Sequence, residues 1–272
     1  MAVFGAAKAE TKLVARAKRL EIRTTPRELF SKFESEFDHT FLLESAKGES
    51  RLAEYSFIGF EPSKLITVKD GAVDLLDTDT GERAKTTTHE PFLELRRLVN
   101  SNRFTGPFRF IGGAVGFVSY DAIRYWETLP HVANDDLHIP DLEFGVFNDG
   151  IVFDHASGKI FYYWIGENRL ESVLLASKKD QPSGVVETTT PTSSIREEKF
   201  REMVVRAKEY IASGDIFQVV LSKRYEFELQ GDWMKFYSAL SRVNPSPYMY
   251  FLKFGEMRVI GSSPEMLARV EK

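Results

Sequence analysis

The 272-residue sequence contains no cysteine. Disulfides, thiolate nucleophiles and thiolate metal sites are thereby excluded together, and the absence fits a reducing compartment. No apolar run approaches the ~18 residues that a membrane span needs. The opening MAVFGAAKAETK lacks an apolar stretch of signal-peptide length, so a cytoplasmic protein without a membrane partner is expected. An excess of positive charge is missing too: the net charge is −4, which gives no expectation of a nucleic-acid partner. The five histidines, His39, His89, His131, His138 and His155, follow no metal-ligand spacing, and no segment repeats another. A glycine-rich run, Gly112-Gly113-Ala114-Val115-Gly116, lacks the Lys-Ser/Thr pair of a phosphate loop and leads into strand-like Phe117-Val118. Its glycines are read as permitting tight sheet packing rather than nucleotide binding.

What is present suits a sizeable folded core. The chain is 43% hydrophobic and 28% charged, and its 22 phenylalanines point to bulky sheet packing. Thr25-Pro26-Arg27-Glu28 predicts a helix start, with threonine as N-cap, proline at N1 and glutamate closing a capping box. Leu29, Phe30, Phe33 and Phe37 follow on one helical face. Strands are predicted at about 40–45, 54–60, 64–69 and 72–77, the last two joined by an Asp70-Gly71 hairpin, then at 145–154 and 159–166. Helices are predicted near 91–101 and 168–178. Residues 179–194, rich in Thr, Ser and Pro, read as a linker between a 1–178 domain and a second one beginning at 195. There Ser194-Ile195-Arg196-Glu197 predicts another capping box, and Gly214 the helix stop. A long strand is predicted over Ile216–Phe227, a helix after Asp232, and strands at 248–254 and 257–263. This series breaks off at Val270-Glu271-Lys272, so the 195–272 part is expected to be incomplete.

The most informative run is Asn244-Pro245-Ser246-Pro247-Tyr248-Met249. Two prolines two residues apart stiffen the backbone and make a corner that presents Pro247, Tyr248 and Met249 as an apolar wall. About 200 residues earlier stands Leu42-Leu43-Glu44-Ser45. Together the two segments offer a slot for a flat ring, an acceptor near Glu44 for an ammonium, and Ser45 or backbone N–H groups for a carboxylate. An aromatic amino acid has that combination. Asn244 itself reads as the cap of the preceding helix.

These segments also carry a resemblance. Phe41-Leu42-Leu43-Glu44-Ser45, Tyr55-Ser56-Phe57-Ile58-Gly59, Gly112-Gly113-Ala114-Val115-Gly116-Phe117 with Tyr120-Asp121, Gly214-Asp215-Ile216-Phe217-Gln218-Val219-Val220-Leu221-Ser222, Asn244-Pro245-Ser246-Pro247-Tyr248-Met249 and Gly261-Ser262-Ser263-Pro264-Glu265 occur in one order along the chain. In that order they resemble the large subunit (component I) of anthranilate synthase, among the chorismate-utilising enzymes. The resemblance covers nearly the whole chain but only the earlier part of the family pattern.

The resemblance implies an α+β fold in which two large antiparallel sheets pack face to face with flanking helices, truncated at the C-terminus. It implies conversion of chorismate and ammonia to anthranilate and pyruvate, with Mg2+ as cofactor and a glutamine amidotransferase subunit as the ammonia source in a hetero-oligomer. It makes Leu43, Glu44, Ser45, Pro247, Tyr248 and Met249 a feedback site for L-tryptophan. Glu265 becomes the general acid that protonates the departing ring hydroxyl, a task that needs a raised pKa. Gln218 stands where isochorismate-forming relatives resemble a lysine that activates water, and an amide cannot act as that base. The magnesium ligands and most substrate contacts of the family lie beyond the matched part, so the chain alone is expected to be inactive. Two other readings stay open: the para-aminobenzoate branch enzyme, aminodeoxychorismate synthase, and a non-catalytic tryptophan-binding module. Arg124-Tyr125-Trp126-Glu127 is read equally as a partner contact or as an aromatic pinned to the surface.

Overall fold

The computed structural model describes residues 11–45, 54–100, 102–130, 132–180 and 184–270. His131 lies outside them, as does the start of the N-terminal run. The chain divides into two compact units, one made of residues 1–182 and 237–272, the other of 183–236.

The first unit opens with β1 (Thr11–Val14) and β2 (Arg16–Leu20), then α1 (Pro26–Glu36). The capping box forms as predicted: the Thr25 side chain accepts from the Glu28 N–H, and the Glu28 carboxylate accepts from the Thr25 N–H at 2.8 Å. Five strands follow: β3 (His39–Glu44), β4 (Tyr55–Phe60), β5 (Lys64–Lys69), β6 (Ala72–Asp77) and β7 (Arg83–Thr87). Next come α2 (Pro91–Asn100), β8 (Asn102–Thr105), which pairs in parallel with β1, and β9 (Gly113–Val118). A 3-10 turn at Tyr120–Tyr125 precedes β10 (Leu142–Phe147), β11 (Asp149–Asp154), β12 (Lys159–Trp164) and α3 (Leu170–Lys178).

Two large antiparallel sheets result. One has five strands in the order β7-β6-β5-β10-β9. The other has seven, and the chain's last two strands, Tyr248–Phe254 and Met257–Ser263, belong to it. The sheets share a core in which Phe41, Leu252 and Phe254 of the seven-stranded sheet meet Val115 and Phe147 of the five-stranded one. Helices cover the outer faces. Phe30 of α1 meets Phe251 edge-on at 5.0 Å, and Phe33 meets Phe60 at 5.2 Å. Leu95 and Leu98 of α2 pack on Ile66, Val68, Val73 and Leu142. The glycine run does allow close packing. A Cβ on Gly116 would lie 1.9 Å from the Glu143 carbonyl oxygen of the neighbouring strand.

The single strand predicted over 145–154 is two strands in two different sheets, broken at Asn148. The chain also changes sheet between β4 and β5, at Glu61-Pro62-Ser63. These two crossings are tied together. Asn148 donates from Nδ2 to Ser63 Oγ at 2.9 Å, and the Ser63 N–H donates to the Val146 carbonyl at 2.8 Å. Arg169 then spans them: its Nε and Nη2 donate to the buried Asp149 carboxylate, its Nη1 to Glu61 at 3.0 Å, and its Nη2 also to the Phe60 carbonyl at 3.2 Å. Tyr162 adds a hydroxyl to Asp149 at 2.8 Å.

The second unit holds β13 (Val186–Thr188), β14 (Thr192–Ser193), α4 (Glu197–Ser213), β15 (Tyr225–Glu226) and β16 (Leu229–Gly231), with β13 paired to β16 and β14 to β15. Two expectations fail there. Ser194 does not cap α4, because its N–H donates to the Arg224 carbonyl at 2.9 Å and its Oγ accepts from the Arg224 N–H. The N-cap is Arg196, without a side-chain bond. The long strand at 216–227 is reduced to Tyr225–Glu226, since among the described residues no strand pairs with 216–224 and an extended run without a ladder is not a strand. Gly214 does end α4, in the left-handed conformation at φ 84°. The helix α5 (Trp233–Val243) leads into β17 (Tyr248–Phe254) and β18 (Met257–Ser263), which extend the seven-stranded order to β18-β17-β3-β4-β11-β12-β2.

Two stability predictions follow from this packing. Arg169→Met leaves Asp149 buried without its cation and is expected to cost about 3 kcal/mol, read from urea unfolding. Glu143 faces the inter-sheet layer beside Thr67 and Phe117, its cross-strand neighbours. Burial raises its carboxyl from 4.5 to about 7, against a smaller opposing hydrogen bond from Thr67. The folded state therefore holds that proton more tightly than the unfolded chain does. This stabilisation is full below pH 4.5 and is lost as pH rises through about 7. Glu143→Gln is expected to flatten the fall in melting temperature between those limits.

Candidate functional site

The strand β3 that carries Leu43-Glu44 pairs directly with β17, which begins at Tyr248. Antiparallel register sets Leu43 opposite Tyr250 and Glu44 opposite Met249. Ser45 is one residue past the end of β3, and Tyr248 is one residue past that last pair. The two segments singled out in the sequence thus meet at one end of the seven-stranded sheet. Neither hydrophobic alternation nor spacing revealed this pairing, which spans some 200 residues of sequence.

Strand alternation sorts the four site residues that lie in strands. Leu43 and Tyr250 lie on the inter-sheet face with Phe41, Leu252 and Phe254, and Tyr248 keeps the same parity as Tyr250. Glu44 and Met249 lie on the opposite face, under the helices, where Met249 is buried. Pro247 and Tyr248 are half-buried. The expectation of an acceptor near Glu44 takes a specific form here, because the Glu44 carboxylate is already engaged. Arg27 Nε donates to its Oε1 at 2.7 Å and Tyr237 donates its hydroxyl to the same oxygen at 2.8 Å. The Glu44 side chain is only 9% exposed. Burial, reinforced by that carboxylate, pushes the Tyr237 phenol far above its ordinary value, so it stays a hydrogen-bond donor.

The proline corner is fastened by backbone and hydroxyls. The Asn244 N–H donates to the Leu240 carbonyl at 2.8 Å and ends α5, while the Asn244 carbonyl accepts from Ser262 Oγ at 2.5 Å. It is this backbone, rather than the side-chain amide, that holds the turn. Ser246 is buried, donates to the Ser263 carbonyl and accepts from the Tyr248 N–H at 3.2 Å. These serines were not singled out in the sequence. For Ser246 the sequence offered a hydroxyl between two prolines, whose role only the partner strand makes legible.

Glu265 lies two residues beyond Ser263, the ladder partner of Tyr248, and so at the same end of the sheet. It sits in an exposed segment after β18, and the Ser263 hydroxyl donates to its carbonyl at 2.9 Å. Gln218 is exposed in the second unit. Tyr125 is pinned: its hydroxyl donates to Asp141 at 2.7 Å and accepts from the Gly71 N–H at 2.8 Å, while Trp126 stacks on Phe92 at 5.1 Å. Among the described residues no three His, Cys, Asp or Glu side chains gather as a metal-binding group, and no helix is long and apolar enough to cross a membrane.

Residues 38–272 match the chorismate binding enzyme family. The chain is 41% identical over 256 residues to anthranilate synthase component 1 of Methanothermobacter marburgensis, covering 94% of this chain and 54% of that protein. It is 36% identical to anthranilate synthase component 1 of Acetivibrio thermocellus, with 91% and 55% covered. It is 35% identical to the chloroplastic anthranilate synthase alpha subunit 1 of rice, with 86% and 47% covered. The chain therefore spans about half the length of the curated relatives it matches. The menaquinone-specific isochorismate synthase of Escherichia coli shares the fold at a TM-score of 0.50 and 13% identity, over 93% of this chain and 51% of that one.

Ser246→Ala removes a buried hydroxyl that joins the start of β17 to the end of β18. It is expected to cost about 1–2 kcal/mol in urea unfolding and to speed hydrogen exchange at the Tyr248 amide.

Proposed function

Because this chain belongs to the chorismate binding enzyme family, we propose that it forms part of an anthranilate synthase large subunit. The reaction is the addition of ammonia to the chorismate ring, loss of the ring hydroxyl, and elimination of pyruvate to leave anthranilate. Ammonia is delivered by a glutamine amidotransferase partner. The end of the seven-stranded sheet is its tryptophan-binding, feedback-sensing site. The observation that carries the site is the β3–β17 register, which joins Leu43-Glu44-Ser45 to Pro247-Tyr248-Met249.

The chemistry of the wall fits an indole amino acid. Tyr248 and Pro247 present half-buried apolar surface at the sheet's end, a surface on which a flat ring stacks. Leu43 closes the inner side. Glu44 points to the helix-covered face and commits its Oε1 to Arg27 and Tyr237, and the acceptor for the ammonium near Glu44 is assigned to a backbone carbonyl at the strand end. Ser45 and neighbouring N–H groups face the carboxylate. Met249 supports the wall from behind.

Glu265 is assigned to protonate the leaving hydroxyl. It sits in the exposed segment just past β18, at the same end of the sheet as Tyr248. The described residues gather no centre for the magnesium that the resemblance implies.

Three measurements test this reading. L-Tryptophan titrated into the chain in a calorimeter should bind saturably at one site. Ser45→Phe and Tyr248→Ala should each weaken it about tenfold or more, equivalent to ~1.4 kcal/mol. Equal binding by Ser45→Phe and the parent removes the pocket assignment. Chorismate and ammonium incubated with residues 1–272 alone should yield no anthranilate fluorescence, and detectable product would overturn the expectation of inactivity.

A further inference from the structure

The two walls of the candidate site come from distant segments, and something must fix their separation. Strand pairing sets the backbone, but both segments end or turn at the point where a ligand would sit. Behind them, on the face away from the inter-sheet layer, one cation reaches the first wall at Glu44 and the helix α5 that leads into the second. Arg27, in the first turn of α1, donates Nε to Glu44 Oε1 at 2.7 Å and Nη2 to Ser241 Oγ at 2.7 Å. Its guanidinium also lies over the Tyr237 ring, 5.4 Å from the centroid. Tyr237, fully buried, closes the set by donating its hydroxyl to Glu44 at 2.8 Å. Ser241 is in the last turn of α5, and Asn244, whose N–H ends that helix on Leu240, begins the proline corner.

We infer that Arg27 is a positioning residue for the amino-acid site, a brace that holds the Leu43–Ser45 wall against the Pro247–Met249 wall through Glu44, Tyr237 and Ser241. This rests on reading the sheet end as that site. The planar fork of the guanidinium suits the task, because it satisfies two acceptors in fixed directions where a lysine offers one compact charge. Glu44 belongs to the brace and does not bond the ligand through its carboxylate. Without Arg27 the buried carboxylate loses its cation, and α5 is left tied to Glu44 through Tyr237 alone, with Ser241 released. The walls then have to be ordered when ligand binds, which weakens binding. Nothing in this network needs to touch the ligand.

The test compares L-tryptophan with indole-3-propionate, which has the ring and carboxylate but no ammonium. Both are titrated calorimetrically into the whole chain, well below the melting temperature of each variant. Arg27→Met is expected to weaken both ligands by about tenfold, with Arg27→Lys recovering part of the loss and Tyr237→Phe losing about threefold for each. A role in fold stability alone would lower melting temperature and leave affinity below melting unchanged, and that result overturns the brace while the site stands. A loss confined to tryptophan would show Glu44 bonding the ammonium directly and also overturns it. If neither ligand binds the parent chain, the site itself is wrong and the brace falls with it. Should Arg27→Met fail to fold, Tyr237→Phe, which deletes one hydroxyl, decides by the same criteria.

Discussion

The fold depends on the point where the chain passes between its two sheets. It does so at Glu61-Pro62-Ser63 and again at Asn148, and the two crossings are stitched by the Ser63–Asn148 bond and by Arg169. Asp149 is buried immediately after the second crossing and takes its cation from the start of α3. A buried carboxylate tolerates few geometries, because any arrangement that leaves it unpaired is costly. Asp149 therefore fixes which residue of the 142–154 run turns the corner, and with it which side chains of β10 and β11 face the shared core. A slip of one residue there would send Phe147 out and a polar neighbour in.

The candidate site is a consequence of that framework. Once β4 and β11 stand side by side, β3 lies on the far edge of β4, and β17 returns from the distant end of the chain to pair with it. The contact between Leu43-Glu44 and Met249-Tyr250 is a backbone ladder, so its precision comes from hydrogen bonds that every sequence can make. Side chains contribute in a second way. Those on one face build the apolar wall, and those on the other, Arg27, Glu44, Tyr237 and Ser241, form a polar network under the helices. Such networks specify position more than they add stability, since each member is satisfied only in one arrangement.

Much of the first unit was legible in the sequence because its signals are local. The Thr25–Glu28 capping box, the Asp70-Gly71 hairpin and the apolar faces of α1 and α2 involve residues within a turn or two of one another. The glycine run was legible for a related reason: small residues in a strand-like context announce close backbone approach. The failures were of another kind. Ile216–Phe227 alternates as a strand should, but alternation describes a preference for a partner and cannot create one. Ser194 sits at the right spacing from Glu197 for a cap, and a ladder with Arg224 takes its donor and acceptor instead. The run over 145–154 reads as one strand because its apolar stretches, Val146-Phe147 and Ile151-Val152-Phe153, are separated only by Asn148-Asp149-Gly150, and which sheet each half joins depends on its distant partners.

What the sequence determined alone was a set of chemical capacities. It fixed an absence of thiol chemistry, a stiff Pro-Ser-Pro corner with an aromatic beside it, a carboxylate next to a serine, and an ordered series of motifs shared with chorismate-utilising enzymes. Those properties are covalent or local, and they survive in any conformation. Only the tertiary structure decided that the two segments meet, that Glu44 and Met249 face away from Leu43 and Tyr248, and that the Glu44 carboxylate belongs to Arg27. Register and partner choice arise from burying whole faces and satisfying every buried polar group at once. That is a condition on the entire chain, and no window of residues contains it.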